Sequence, residues 1–437
     1  MNKRKTTFAL AASLLVFASA HIFGVTAQTR ANAPKQERLL NGMNVHFWPD
    51  ATSAKVEARL RIHSGAAFDT VGNEGQTCLT AEALFPNEAS RDFFRDDLDG
   101  SFEITCNYDY IEISVSSRPD AMLSMLETLS SAVTNPTLDK ETVDAVKPAQ
   151  LAKIEAALKN ASMTADSAAA QALFGTFPYG RSPLGTRESL SNVDFADLRF
   201  SYERSFGADN ATLAVSGNFD QALTFRAARR LLGSWLKSDK KIPATFKQAD
   251  PPSSKIKLIE SPETGVGEIR YAVRGTARNA ADNAAFEVLA KVLDGRLKTK
   301  APADKRDLAF VRNESRLLPG MLLFGMSGLN TGIKTDPAEN STAPKTGDPI
   351  AQILNEKITD SEFASAKLAV IAERSKISPI ILWLDVTTFK LSSAKTEQDA
   401  FSLVTLADVQ KAANKINALP MAKVMLLSDE AEKEGAQ

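Results

Sequence analysis

The side chains able to bind a metal or activate water are few: His21, His46, His63, Cys78, Cys106 and the ordinary complement of carboxylates. The one stretch where such groups meet a structural signal is residues 75–85, where Gly75 introduces Gln76-Thr77-Cys78-Leu79-Thr80-Ala81-Glu82. A glycine after a β-like run, followed by helix-forming residues, has the composition of a helix start. On that helix Cys78 and Glu82 stand one turn apart on one face. A thiol and a carboxylate so placed are two ligands, whereas a catalytic zinc ion takes about three from the protein and keeps an open position. His46 and His63 lie in strand-like segments well before the helix and supply no third. Packing for the cysteine and a solvated or paired role for Glu82 are the simpler reading.

Other chemistries find less support. No Gly-x-Ser-x-Gly elbow occurs, and two histidines in the mature chain leave few partners for a Ser/His/Asp triad. Asp99-Gly100 and Asp294-Gly295 are turn chemistry, not calcium loops. Glycine-rich phosphate loops are absent. Asp96 and Asp97 read as an exposed helix end. In an oxidising compartment Cys78 and Cys106 are allowed to form a disulfide. Spacing alone does not settle the bond geometry, and two small buried hydrophobes is the alternative.

Around this stretch the periodicity lays out the elements that position it. Residues 44–49 and 54–62 read as strands, because Val56, Ala58, Leu60 and Ile62 alternate with Glu57, Arg59 and Arg61. A further strand is expected over 101–116. Met122, Leu123, Met125, Leu126 and Leu129 fall on one helical stripe within 119–133, and Leu138-Asp139 opens a long helix to about Asn160. A helix over 194–206 precedes a strand near 210–217. Residues 237–255, rich in proline and lysine, read as a linker, and residues 328–347 as a mobile loop. Beyond the linker the plan recurs. Leu138-Asp139 with Lys147 is echoed by Ile358-Thr359 with Lys367, and Phe195-Ala196-Asp197-Leu198 by Leu406-Ala407-Asp408-Val409.

Length and composition allow two to three domains with ample core, since 437 residues at 43% hydrophobic and 24% charged are ordinary globular values. A net charge of −1 gives no reason to expect nucleic acid or an anionic membrane as partner. The N-terminus reads as a leader: Lys3-Arg4-Lys5, an apolar run from Phe8 to Phe17, then small residues near Ala27. Ile22-Phe23-Gly24-Val25 lengthens the apolar run enough to keep an uncleaved anchor as the alternative. The domain plan is thus a signal segment 1–27, an N-terminal domain 28–236, a linker 237–255 and a C-terminal domain 256–437, with a periplasmic or secreted location.

Several motifs together resemble one family. Leu39-Leu40-Asn41-Gly42, His63-Ser64-Gly65-Ala66, the residue 75–85 run, Asp99-Gly100-Ser101-Phe102, Phe177-Pro178-Tyr179-Gly180-Arg181 and Asn210 to Asp220 are similar, in this order, to the pitrilysin/insulinase zinc peptidases, the inverzincins. The resemblance implies an α+β fold of two related domains, each an antiparallel-rich sheet packed with helices in a half-clamshell. In that family the helix after the glycine carries His-x-x-Glu-His, two zinc imidazoles around a general base. Here the same register reads Cys78, Ala81 and Glu82, and a methyl moves no proton. The family's third ligand, a Glu on the long helix, falls on Lys153, with Glu155 the nearest carboxylate. The Tyr of the family's substrate clamp falls on Phe310, its Arg near Pro302-Ala303 with Arg306 as a partial substitute, and a cleft Asn on Glu103.

The resemblance therefore implies a non-catalytic homologue without a metal of its own, zinc being expected only in a partner subunit. Members of the family often work as pairs of subunits enclosing peptides. This leads to a chain that pairs with a zinc-bearing subunit or with itself as a dimer, binds peptides, and contacts neither nucleic acid nor membrane after leader cleavage. The alternatives are a stand-alone peptide-binding scaffold and, further off, a residual metallopeptidase with displaced ligands.

Overall fold

Alternation of apolar and polar residues builds two sheets, seen in a computed structural model that describes residues 33–238, 246–263, 265–329 and 349–427. The leader, the middle of the linker and nearly all of the 328–347 loop expected from the sequence lie outside the described residues. The first half runs β1 (Lys35–Arg38), β2 (Asn44–Pro49), β3 (Val56–Ile62), α1 (Gln76–Ala83), α2 (Glu88–Asp92), β4 (Phe102–Cys106), β5 (Ile111–Ser117), α3 (Met122–Thr134), α4 (Lys140–Lys159), α5 (Ala161–Phe174), α6 (Arg187–Asn192), α7 (Phe195–Ser205), β6 (Ala211–Gly217) and α8 (Gln221–Leu232). The second half runs β7 (Ile256–Glu260), β8 (Gly267–Arg274), α9 (Asn283–Lys300), β9 (Ala309–Glu314), β10 (Met321–Leu329), α10 (Pro349–Asn355), α11 (Asp360–Arg374), α12 (Pro379–Thr388), α13 (Ala394–Leu403), α14 (Leu406–Asn417) and β11 (Ala422–Leu427).

The two sheets are ordered β1-β2-β6-β3-β5-β4 and β7-β11-β8-β10-β9. Aligning β2 with β7, β3 with β8, β4 with β9, β5 with β10 and β6 with β11 superposes the topologies, and in each the one parallel pair joins the first and last of these strands. The duplication heard faintly in the sequence is thus a duplication of the fold. Its echoes do the same job twice. Lys147 donates to the Val193 carbonyl at 2.7 Å and Lys367 to the Val404 carbonyl at 2.8 Å, each just ahead of a capping box, Asp194/Asp197 on α7 and Thr405/Asp408 on α14.

The expected single strand over 101–116 is instead a hairpin. Asn107 folds its side-chain oxygen back onto the amides of Asp109 and Tyr110 at 2.9 and 3.0 Å, turning the chain between β4 and β5. Strand β1 escaped sequence reading because Lys35-Gln36-Glu37-Arg38 has no apolar face; it is an exposed edge paired only to β2. The apolar face of β3 packs with β5, β6, α3 and α8 into one core, and α9, α11 and α14 build the equivalent core on β8 and β10.

Each half also lends a helix to the other. The alanine-rich face of α5 lies against Ala272, Leu323, Val424 and Leu426 of the second sheet, while Ile380 and Leu384 of α12 lie against Ala214 of the first. Small side chains permit that close approach. At the centre of each contact a fully buried arginine crosses between the halves. Arg61 on β3 meets Glu112 at 2.8 Å and Asp385 of α12 at 2.7 Å; Arg270 on β8 meets Glu268 at 2.6 Å and Asp166 of α5 at 2.5 Å. A guanidinium without water is held only where carboxylates neutralise it, so these pairs fix how the helices sit on the sheets.

Candidate functional site

Helix α1 begins at Gly75, whose φ of 91° belongs to glycine, and a Cβ there would come within 2.3 Å of the Leu184 carbonyl. The start of the helix is held from several sides. Asp69 accepts from the amides of Gly75 and Thr77 at 2.7 and 3.1 Å, satisfying donors at the open helix end. Burial nevertheless pushes the Asp69 carboxyl up to about 7. Gln150 on α4 donates to the carbonyls of Gly75 and Leu184 at 3.0 and 2.8 Å. Arg181, from the Pro178-Tyr179-Gly180-Arg181 loop, donates to the Asp69 carbonyl at 3.2 Å. Tyr179 in the same loop donates to Asp109 at 2.7 Å and accepts from the Leu318 amide of the second half at 2.9 Å. These bonds tie the start of α1 to α4 and to the 178–181 loop, and that loop to the second half.

Three side chains on the inner turns of α1 then decide its chemistry. Cys78 is joined to Cys106 at the end of β4, with Cα atoms 5.5 Å apart. Ala81 is fully buried and offers a methyl. Glu82 accepts from Lys153 of α4 at 2.7 Å through Oε1 and from Arg91 at 2.9 Å through Oε2. Positions 82 and 153 thus do converge, as the sequence register implies, but they hold an anion and a cation instead of two anions or an imidazole and an anion. The two cations beside Glu82 would oppose a divalent ion entering there. Glu155 turns away and pairs with Arg187. Among the described residues no three His, Cys, Asp or Glu side chains cluster to hold a metal, and the two-ligand pair of Cys78 and Glu82 has lost its thiol to the disulfide.

The sequence matches two family models, that of insulinase (peptidase family M16) over residues 46–187 and that described as the peptidase M16 inactive domain over residues 192–370. The chain belongs to the M16 peptidase family. Its fold is that of M16 structures at low identity. A structure titled as the peptidase M16 inactive domain from Pseudomonas fluorescens aligns with a TM-score of 0.76 at 19% identity, covering 92% of this chain and 99% of the other. A protease from Helicobacter pylori aligns at 0.77 and 17%, covering 90% and 100%. The periplasmic protease PqqL from Escherichia coli aligns at 0.69 and 15% over 93% of this chain but only 49% of its own. No curated protein matches. The inactive-domain model begins at residue 192, so the altered residues on α1, at 78–82, lie outside it and are an independent observation.

Of the remaining positions read from the sequence, two fall on the duplicated edge strands and one on the turn before the second. Glu103 is exposed on β4 and Phe310 lies on β9, both at sheet margins. The Phe310 ring is packed: it covers Gly325 of β10 and lies 4.9 Å from the guanidinium centres of both Arg270 and Arg312. Arg306 is exposed on a short 3-10 turn, residues 303–308, ahead of β9.

The two histidines prove to be structural members of the α12 contact. His46 stands edge-on between Trp48 and Trp383, with ring centroids 6.1 Å away on either side. His63 meets Thr388 of α12 through Nδ1 and Thr212 of β6 through Nε2, both at 2.9 Å. Burial lowers His46 to about 4, and burial with the nearby Arg61 charge lowers His63 to about 3, so both are neutral at physiological pH. Sequence reasoning saw only that neither was a ligand. Apart from Trp48, their partners come from residues 212, 383 and 388, which no local pattern announces.

Proposed function

We propose that this chain is a secreted, non-catalytic M16 homologue that pairs with a zinc-bearing M16 chain, or with a second copy, to enclose peptides. The observation that carries it is the Glu82–Lys153 ion pair at 2.7 Å. Where the family motif asks for imidazole and carboxylate around a zinc ion, this chain places its own ammonium against a carboxylate, beside a methyl at the base position and a thiol consumed in a disulfide. No group is left to activate water.

Pairing is supported by a comparison of spans: this chain matches 49% of PqqL, and two chains of this fold together would reach that length. Another of the similar folds is a chain of a structure titled Complex III2 from Candida albicans (TM-score 0.70, 15% identity). Peptide binding is supported by the margin of β4, an edge strand that pairs only with β5 and whose outer side is able to take an added strand. Secretion is supported by the leader-like N-terminus and by the disulfide, which belongs to oxidising compartments. No described helix is long and apolar enough to cross a membrane.

The test is purification alone and together with a zinc-bearing M16 homologue. A zinc-free, inactive chain that forms a stoichiometric complex with the homologue and raises its peptide turnover is the expected result. Chelator-sensitive peptidase activity from the lone chain overturns the proposal. A chain that binds peptides but no M16 partner selects the stand-alone scaffold instead.

A further inference from the structure

Because the fold is duplicated, each surface of one half has a counterpart in the other, and one pair differs. Between β3 and α1 the chain has thirteen residues (63–75), and between β8 and α9 it has eight (275–282). The longer connection of the first half lies along α6 and α7. Ser189 donates to the Glu74 carbonyl at 2.9 Å, the Asn73 amide donates to Asp197 Oδ1 at 2.9 Å, and Asn192 donates to the Gly72 carbonyl at 3.3 Å.

In the second half the corresponding place is a groove of about 770 Å³ between the start of α9, the end of α13 and α14. Counting from the two capping boxes aligns Asp408 with Asp197, Leu403 with Asn192 and Ala412 with Ser201. Asp408 Oδ2 accepts from the Thr405 amide at 2.9 Å, as Asp197 Oδ2 accepts from Asp194 at 3.0 Å. Its Oδ1, the counterpart of the atom that Asn73 reaches in the first half, accepts no hydrogen bond from the described residues. Leu403 is 75% exposed and walls one side, the buried Ala284 and Ala412 line the floor, and the Lys415–Asp282 pair closes one end.

We propose that this groove docks an extended segment of a partner protein in which a small residue precedes a side-chain amide. That is the chemistry Gly72 and Asn73 supply within the first half. The amide donates to Asp408 Oδ1, the small residue lets the backbone approach the alanine floor, and apolar atoms of the segment cover Leu403. The proposal stands whether or not the partner carries zinc.

The probe is the hexapeptide Thr-Val-Gly-Asn-Glu-Gly, the sequence of residues 70–75, titrated into the full-length mature protein labelled at alanine methyls for NMR. Saturable shifts at the Ala284 and Ala412 methyls are expected. Replacing the peptide Asn by Leu, or introducing Asp408→Asn, weakens binding about tenfold, the usual worth of a hydrogen bond to a charged group. The asparagine keeps an oxygen for the α14 cap while turning a donor toward the groove. Leu403→Lys, at a surface position that folding tolerates, weakens binding as well. Absence of saturable shifts, shifts confined to the first half, or undiminished binding by both variants overturns the proposal.

Discussion

Acidification should loosen α12 from the first sheet, and the magnitude follows from His46 and His63. Both are held neutral in the fold, at about 4 and about 3 against 6.5 when exposed. A histidine whose folded value is depressed binds fewer protons folded than unfolded, so its contribution is complete above pH 6.5 and is lost as the pH falls below that. From pH 7.5 to 5.0 each loses about 2 kcal/mol, and the pair about 4, at roughly 1.4 kcal/mol per pH unit below 6.5. Asp69 acts in the opposite sense. Its folded value is raised to about 7, so acidification over the same range restores stability of similar size, and the total alone is uninformative. The decisive assay is therefore a difference. Urea unfolding followed by tryptophan fluorescence, at pH 7.5 and 5.0, compares the parent with His46→Phe/His63→Gln. Asp69 is common to both proteins and cancels, so the parent should lose about 4 kcal/mol more than the variant on acidification. Trp48 and Trp383, against His46, put two of the three tryptophans at the contact, and Trp235 reports on the first core. A pH response equal in the two proteins, within about 1 kcal/mol, refutes the reasoning.

Three further outcomes are expected. Removing the Cys78–Cys106 bond by double alanine substitution frees a loop of sequence separation 28, which lowers stability by about 3.5 kcal/mol on chain-entropy grounds; urea midpoints with and without reductant measure it. Asp385→Ala leaves Arg61 buried without its cross-half partner and should cost about 3–5 kcal/mol, whereas Lys153→Met, at a half-exposed pair, should cost about 1 kcal/mol or less. Equal costs by chemical denaturation would contradict the assigned burial. Rebuilding the family ligands as Cys78→His, Ala81→Glu, Glu82→His and Lys153→Glu, with Cys106→Ser to avoid a stray thiol, should bring in one zinc per chain because positions 82 and 153 already meet. Metal analysis showing none would mean that the backbone, and not only the side chains, has left the zinc geometry.

Much of the scaffold could be read along the chain, because its signals are local. The alternation of Val56, Ala58, Leu60 and Ile62 belongs to a strand with one buried face, and the stripe from Met122 to Leu129 belongs to a helix. The caps Asp139 and Thr359 begin their helices by hydrogen bonds to the residues that follow them. The turn at Asn107 was lost in what looked like one strand, since its signal is a single side chain reaching two residues on. The Lys147 and Lys367 echo was visible as spacing, but its meaning, one carbonyl braced ahead of each capping box, needed the fold.

What the amino-acid order determined by itself was the family register and the missing base: a methyl at position 81 has no proton chemistry in any fold. Only the tertiary structure decided what replaced the metal. Residues 82 and 153 are 71 apart in sequence and 2.7 Å apart in space, and Cys78 meets Cys106 across a helix and an edge strand. It also decided that Arg61 and Arg270 join the halves and that, among the described residues, one groove is left open where its twin is filled. Contacts of this kind depend on how helices are laid on sheets, and that placement is set by packing summed over the whole chain, which no local stretch encodes.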